Sequence, residues 1–317
     1  MLSSTADHLY WMARSMERAE STARMLDVTY RMSLLKSADV EPHQNWSAAL
    51  TISGLFQAYT QTHPLVEPDK VLHFMALDAN NPSSIYCCLQ NARENARAIR
   101  GAISVEMWET INHTWLEMKN VSSDQLHGDR VSGFFDWVKE RSHLSRGVTY
   151  GTMLQDDSLR FIRVGTFLER GDNTARILDV KYHILLPSLS DVGGVADYYQ
   201  WSALLRSVSA LSAYRKVYQD MITPTRVAEL LILRRDLPRS LATCIREVHL
   251  QINELGTNDR SELGRQCGRL DADLQYGRIK DIINLGVHEY LTNFLNQISG
   301  IGNQIHATYF TGTKEQP

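Results

Sequence analysis

The chain has 317 residues, 43% of them hydrophobic, and a formal net charge of −3 at pH 7. This length and apolar content allow one large hydrophobic core or two smaller ones. Balanced charge without a basic cluster excludes an extended nucleic-acid surface, and no apolar run reaches the roughly 20 residues of a membrane span, so we expect neither nucleic acid nor membrane as a partner.

Hydrophobic periodicity predicts helices along the whole chain. Prolines, glycines and polar turns set the expected bounds. The predicted helices cover about residues 4–36, 46–62, 69–77, 85 onward, 131–146, a segment that includes 168–182, then 197–220, 224–234, 238–255, 261–276 and 279–310. Strand signals are nearly absent, because no stretch alternates with period two and no Asn-Gly turn occurs. We therefore predict an all-α fold.

One stretch occurs twice. Residues 16–30 (MERAESTARMLDVTY) recur as residues 168–182 (LERGDNTARILDVKY), at a constant offset of 152 (169 − 17). We call these two stretches the signature helices. Each places apolar residues three and four apart, as in the first copy at Leu9, Met12, Met16 and Ala19, which is the pattern of a packed helix.

The repetition extends beyond the signature helices. Trp46-Ser47-Ala48 recurs as Trp201-Ser202-Ala203, while Pro68, Ser84 and Cys88 correspond to Pro224, Ser240 and Cys244. The sequence therefore predicts an internally duplicated helical bundle with two pseudo-symmetry-related signature helices. Its repeats would cover about 1–120 and 153–275, with a connector at about 120–152 and a C-terminal helix at about 279–310. Because two such units bury their apolar faces together, we expect one integrated domain over 1–317.

A charged stripe lies beside the apolar face of each signature helix. The stripes contain Glu17, Glu20, Arg24 and Asp27 in the first copy, and Glu169, Asp172, Arg176 and Asp179 in the second. At about 100° per residue, Arg18 and Arg170 fall on another side of their helices.

Two interpretations of these stripes stay open. In the structural one, Glu20–Arg24 and Asp172–Arg176 are i,i+4 pairs, and the copies cross-pair through Arg24 with Glu169 and Arg176 with Glu17. In the functional one, both copies line a shared polar cleft. The candidate acid/base carboxylates are then Glu17, Glu20, Glu169 and Asp172, and the candidate ligand-binding residues are Arg24, Arg176, Asp27, Asp179, Arg18 and Arg170. The structural interpretation is favoured, because half-buried ion pairs are commoner than ligand sites.

A second polar group lies at Arg93, Glu94 and Arg97. Ion pairs on a helix surface account for it simply. Alternatively, two arginines one turn apart can grip a carboxylate or phosphate, so these three residues are the candidate partner-binding face.

Cofactor and metal motifs are missing from the sequence. It contains no phosphate-binding loop or nucleophile elbow, and its four cysteines form no CxxC pair, so we expect neither a disulfide nor a zinc framework. An ExxH spacing, the pattern of di-metal bundles, occurs at Glu140–His143 without a second copy, so we expect no metal site. The free cysteines and the absence of a leader predict a cytoplasmic protein.

Motifs along the whole chain resemble the bacterial alpha-E domain family, which is all-helical, of unknown function and named for a Glu-Arg motif. The resemblance is carried by residues 10–20 (YWMARSMERAE), 81–85 (NPSSI), 92–97 (ARENAR), 106–109 (EMWE), 151–154 (GTML) and 161–170 (FIRVGTFLER). Gly171 departs from the pattern, which ordinarily carries alanine there.

The resemblance implies a context that the residues themselves do not show. Members look like companions of an ATP-grasp amide ligase, often with a transglutaminase-like cysteine peptidase or a proteasome-like peptidase. We therefore expect a helical accessory or scaffold component of a peptide- or amide-bond-forming system, which binds the ligase or its peptidic substrate. ATP and Mg would lie on that ligase, and no cofactor is expected on this chain. The alternatives are an enzyme of the same pathway, with a Glu/Arg-lined site between the signature helices, and a self-associating structural protein.

Overall fold

The computed structural model describes residues 1–34, 42–183, 195–256 and 261–311, with the side chains of all of these except 42–44, 182–183 and 195–197. Helices and turns make up these segments, and no strand occurs within them. The predicted all-α fold is therefore confirmed. None of the described helices combines the length and apolar composition that a bilayer span requires.

Seven α-helices come from the N-terminal part of the chain. They are α1 (Ser3–Ser33), α2 (Pro42–Ile52), α3 (Phe56–Thr62), α4 (Pro68–Ala76), α5 (Ile85–Ala98), α6 (Val105–Met118) and α7 (Arg130–Thr152). The predicted connector thus contains one of the longer helices, α7, which packs against α1.

Eight α-helices follow in the described C-terminal part. They are α8 (Asp157–His183), α9 (Val195–Ser207), α10 (Leu211–Tyr218), α11 (Pro224–Ile232), α12 (Leu241–Glu254), α13 (Glu262–Tyr276), α14 (Ile279–Leu285) and α15 (Val287–Ile305). A π-helical turn, His306–Phe310, continues α15. The signature helices are α1 and α8.

Four predicted helices are broken in the structure. The helix expected from residue 85 onward ends at Ala98, and α6 begins at Val105 after a 3-10 turn at Arg100–Ala102. The helix expected at 46–62 divides at Gly54 (φ +68°), and that expected at 197–220 divides at Ser209 (φ +56°). The next residue in each case closes a wide turn: Leu55 N donates to Leu50 O, and Ala210 N donates to Leu205 O. The helix expected at 279–310 divides at Gly286, whose φ of +103° cannot continue a helix.

The signature helices pack closely against each other, and α1 packs to a similar extent against α5. Gly165 permits this close approach, because a Cβ there would lie 2.5 Å from the backbone oxygen of Tyr10. Gly171 is also tightly packed: a Cβ there would meet Ile298 Cδ1 and Cys244 Cβ at 3.1 and 3.3 Å, so these side chains would have to shift by a few tenths of an ångström. The departure from the alanine pattern thus lies at a point where little space is left for a side chain.

Buried side chains form two apolar clusters that meet at the α1–α8 contact. One contains α1 to α7 with the start of α8, and the other contains α8 to α15 with Tyr10 of α1. Since α1 and α8 contribute residues to both clusters, the charged stripes on these two helices lie between the two cores.

Equivalent contacts occur in both halves. Tyr59 and Tyr214 are fully buried, and each hydroxyl donates to a backbone oxygen, of Leu65 and Met221 respectively. Helices α5 and α12 begin alike, because Ser84 Oγ and Ser240 Oγ accept from the backbone of the first turn. These parallels support the predicted duplication, which stays a prediction.

Candidate functional site

The Glu-Arg pairs of the two signature helices bind each other crosswise. From α1, Arg18 donates to Glu169 from Nε (2.6 Å to Oε1) and Nη2 (3.0 Å to Oε2). From α8, Arg170 donates to Glu17 from Nε (2.9 Å to Oε1) and Nη2 (2.8 Å to Oε2). Two parallel charge-assisted bonds per pair hold the two helices in one register.

The cross-pairing expected from the sequence named the wrong arginines. Arg24 binds Glu20 and Arg176 binds Asp172, in both cases within the same helix. These i,i+4 pairs agree with the structural interpretation. Arg18 and Arg170 were placed on another side of their helices than the charged stripes. Both nevertheless reach a carboxylate of the facing stripe, because close helix packing brings it within range of a long side chain.

Glu17 and Glu20 belong to a larger buried network. Arg239, just before α12, bridges them, with Nη1 2.8 Å from Glu17 Oε1 and Nη2 2.7 Å from Glu20 Oε1. From α7, Arg146 Nη1 donates to both carboxylates, at 3.1 Å to Glu17 Oε2. Ser142 Oγ donates to Glu20 Oε2 at 2.7 Å. Both glutamates therefore have all their oxygens engaged.

Sequence reasoning missed Arg239, Arg146 and Ser142. The last two lie in the region expected to be a connector. For Arg239 a usable signal existed: under the predicted duplication it corresponds to Ser83, so Pro-Ser-Ser in the first half becomes Pro-Arg-Ser in the second.

The cations decide the ionisation of these carboxyl groups. Burial raises the pKa of Glu17, but Arg170 and Arg239 outweigh it and lower the pKa to about 2. Burial also raises the pKa of Glu20, but Arg239, His143 and Arg146 outweigh it and hold the pKa well below its ordinary value. Both are therefore ionised at neutral pH and poorly suited to accept a proton.

A cavity of about 400 Å³ borders this network, and we call it the α7 cavity. Its polar lining includes Glu17 and five arginines, while much of the remainder is apolar. The arginines are Arg24, Arg146, Arg163, Arg170 and Arg239, and the apolar residues include Met12, Met16, Met107, Ile111, Ile162 and Phe167. Even with Glu20 and Glu247 counted, the cations outnumber the carboxylates.

Arg146 and Arg163 of the α7 cavity each have an unused Nε. Arg146 makes its hydrogen bonds through Nη1 alone, so Nε and Nη2 have no partner among the described residues. Arg163 donates from Nη2 to Glu247 at 2.5 Å, while its buried Nε has no partner in the same part of the chain. The Nε–Nη2 edge of a guanidinium is the edge that binds a carboxylate with two bonds.

A second cavity, of about 590 Å³, lies beside Glu169, and we call it the α15 cavity because α15 forms one wall. Arg14 Nε donates to Glu169 Oε2 at 2.7 Å, alongside the bonds from Arg18. Arg176 donates to Asp172 at 2.7 and 3.1 Å. Burial raises the pKa of Glu169, but Arg14 and Arg18 outweigh it and the net pKa is lowered. The single cleft expected from the sequence is thus two cavities.

The remaining candidate ligand-binding residues lie outside both cavities. Asp27 is buried and pairs with Arg31 (2.8 Å) and Lys139 (2.9 Å). Asp179 accepts from His288 Nδ1 at 2.6 Å. Asp27 is thus ion-paired and Asp179 is hydrogen-bonded, which fits the structural interpretation for this part of the stripes.

The candidate partner-binding residues form an ion-paired surface on α5. Glu94 pairs with Arg93 and, at 2.8 Å, with Arg97, which is 59% exposed. Arg93 also donates to Asn112 Oδ1 at 3.1 Å. The guanidinium of Arg100 lies 3.9 Å from the ring centre of Trp108. This surface is accessible and carries more cations than anions.

Metal ligands do not converge in the described segments, where no group of three or more His, Cys, Asp or Glu could hold an ion. In the ExxH stretch, His143 Nε2 is 3.0 Å from Arg24 Nη2 and 3.6 Å from Glu20 Oε1. His143 therefore belongs to the ion-pair network.

Comparison with known proteins identifies a family, and the description of that family names no activity. The family model described as a predicted alpha-helical domain with a conserved ER motif matches residues 1–310. Uncharacterized proteins of Mycobacterium bovis and Mycobacterium tuberculosis are each 22% identical over 319 aligned residues, covering 92% of this chain and 34% of theirs. The chain thus spans about a third of the length of these relatives. No solved structure matches it.

Proposed function

Since the chain belongs to the Alpha-E family, we propose that it is an accessory component of a peptide- or amide-bond-forming system. In this proposal the α7 cavity holds the carboxylate of a peptidic substrate for a partner ATP-grasp amide ligase. The free Nε–Nη2 edge of Arg146, in a cavity that combines arginines with an apolar wall, carries the proposal.

The composition of the α7 cavity fits a small peptidic acid. Glu17 and Glu20 already neutralise part of the charge, and the guanidinium surplus attracts one further anion. The edge of Arg146 matches a planar carboxylate, and the apolar lining suits a hydrophobic side chain next to it.

The alternative, an enzyme of the same pathway, requires a carboxylate that can accept a proton. A general base needs a pKa near the working pH and a free oxygen. Glu17 has a pKa of about 2, and arginines occupy its oxygens. Asp172, with one arginine partner, is the least engaged of the four candidate catalytic residues.

Partner binding is assigned to the surface that contains Arg93, Glu94 and Arg97. The ligase would supply ATP and Mg, and a transglutaminase-like cysteine peptidase or a proteasome-like peptidase would complete the system, in the cytoplasm. Self-association of the chain is a further expectation.

Calorimetric titration with N-acetyl-L-phenylalanine tests the cavity. We expect the acid to bind. N-acetyl-L-phenylalanine amide, which lacks the carboxylate, should bind with an affinity at least about tenfold lower. Arg146→Lys should weaken binding of the acid by a similar factor, because lysine keeps the charge but loses the two-point edge. Arg141→Lys, also on α7 but directed at Glu117, is the matched control. Equal affinities for acid and amide, or an unaffected Arg146→Lys variant, would refute a carboxylate site.

Native mass spectrometry of this chain mixed with an ATP-grasp ligase tests the partner. Arg97→Glu should weaken the complex. Arg265→Glu is the control, because Arg265 makes a comparable exposed i,i+3 pair with Glu262. Absence of a complex, or equal loss with both variants, would contradict docking through this surface.

A further inference from the structure

The α15 cavity contains unused donors from three arginines. Arg14 uses Nε for Glu169 and Nη1 for the Tyr10 hydroxyl, at 3.0 Å. Arg18 and Arg176 each use Nε and Nη2 on a carboxylate. Nη2 of Arg14 and Nη1 of the other two therefore have no hydrogen-bond partner among the described residues.

A buried hydroxyl lines the same cavity. Ser21 is 6% exposed, and its Oγ makes no hydrogen bond within the described segments. Arg14, Arg18 and Ser21 are spaced four and three residues apart, so they lie on one face of α1. Because an unsatisfied buried hydroxyl is costly, a hydroxyl without a partner in the lining of a cavity that also holds unused arginine donors indicates a hydrogen-bond partner from outside the chain.

The charge of the cavity selects an anion. Three arginines line it against two carboxylates, Glu169 and Asp172, which leaves one positive charge in excess. Glu169 is fully engaged by Arg14 and Arg18, and Asp172 is paired with Arg176. The remaining donors belong to four separate side chains.

We propose that the α15 cavity binds the phosphoryl group of a small phosphorylated molecule. A phosphoryl group presents three terminal oxygens and a charge of about −1.5 to −2 at neutral pH, which suits a cavity lined by donors from several side chains. A carboxylate has two oxygens in one plane and suits the single guanidinium edge of the α7 cavity. This assignment is independent of the proposed carboxylate site.

Calorimetric titration with inorganic phosphate tests the proposal, with acetate as the carboxylate comparison. We expect phosphate to bind at least tenfold more tightly than acetate. Ser21→Ala should weaken phosphate binding about tenfold without lowering the melting temperature, because the hydroxyl has no partner within the fold. Ser202→Ala is the matched control: its hydroxyl is also buried and unpaired in the described structure, but lies outside the cavity.

A second pair of variants makes the test robust. Arg176→Gln should weaken phosphate binding about tenfold or more. Arg226→Gln, which removes an exposed arginine paired with Asp220, should leave it unchanged. The proposal is overturned if phosphate does not bind, if acetate binds as well, or if the controls weaken binding equally. It is also overturned if Arg146→Lys abolishes phosphate binding, because the anion then occupies the α7 cavity.

Discussion

The α7 and α15 cavities both lie beside the crossed Glu-Arg contacts. They differ in the next carboxylate along each charged stripe, Glu20 in α1 and Asp172 in α8, because these two residues have very different burial and numbers of partners. Glu20 is fully buried and bound by Arg24, Arg146, Arg239 and Ser142. Asp172 has a side chain 23% exposed and, within the described segments, one arginine partner. Under the predicted duplication, the position of Arg239 corresponds to a serine in the first half. Arg239 thus completes a fully paired network beside the α7 cavity. No arginine stands at the corresponding position, Ser83, beside the α15 cavity, where Asp172 has fewer partners.

The largest effect should come from removing a carboxylate of the closed network. Glu17→Gln leaves Arg170 and Arg239 buried without their counter-charge, so we expect a loss of about 3–5 kcal/mol in the free energy of unfolding. Urea denaturation followed by circular dichroism measures it. Little loss of stability, combined with loss of pathway product, would instead favour Glu17 as a catalytic residue.

Acid should destabilise the protein through the same carboxylate. The pKa of Glu17 in the folded state is about 2, below its ordinary value of 4.5. A lowered folded-state pKa gives stability that is complete above pH 4.5 and is lost as the pH falls towards 2, here about 3 kcal/mol for this group. Unfolding free energies measured between pH 6 and pH 2 test this, and the Glu17→Gln variant should show a shallower pH dependence. A wild-type profile that is flat below pH 4.5 would contradict it.

The two crossed pairs should differ in strength. The side chain of Arg170 is 8% exposed and that of Arg18 is 31% exposed. Arg170→Lys should therefore cost about 2 kcal/mol of stability, through the lost second bond in a dry site. Arg18→Lys should cost about 1 kcal/mol, because solvent screens the pair. Equal losses would mean that the two cavities exclude water to the same extent.

The sequence predicted some of the residues that form the fold and the two cavities, but not others. Periodicity predicted helices, and Pro68 and Pro224 marked two helix starts, because those rules act over a few residues. Hydrophobic periodicity missed the helix breaks at Gly54 and Ser209, because these breaks depend on a positive φ at a single residue. It also placed the charged stripes correctly on α1 and α8.

The partners of those stripes were harder to predict. A helical projection gives the direction of a Cβ, not the reach of an arginine, so Arg18 was placed on another side of its helix than the charged stripe and its contact with Glu169 was missed. Arg239 lies 222 residues from Glu17 along the chain. Only the tertiary packing of α12 against α8 brings it there, and the Ser83/Arg239 difference was the one trace in the sequence.

The smallest effect on stability, and the sharpest on binding, should come from Asp172→Asn. Its i,i+4 pair with Arg176 is partly exposed, so its loss should cost less than about 1 kcal/mol. The change removes a negative charge from the α15 cavity and releases donors of Arg176. Phosphate should therefore bind several-fold more tightly to this variant in calorimetry. A loss of stability as large as that of Glu17→Gln would place Asp172 in a closed network like that of Glu20. Weaker phosphate binding would mean that Asp172 holds Arg176 in its binding position rather than competing with the anion.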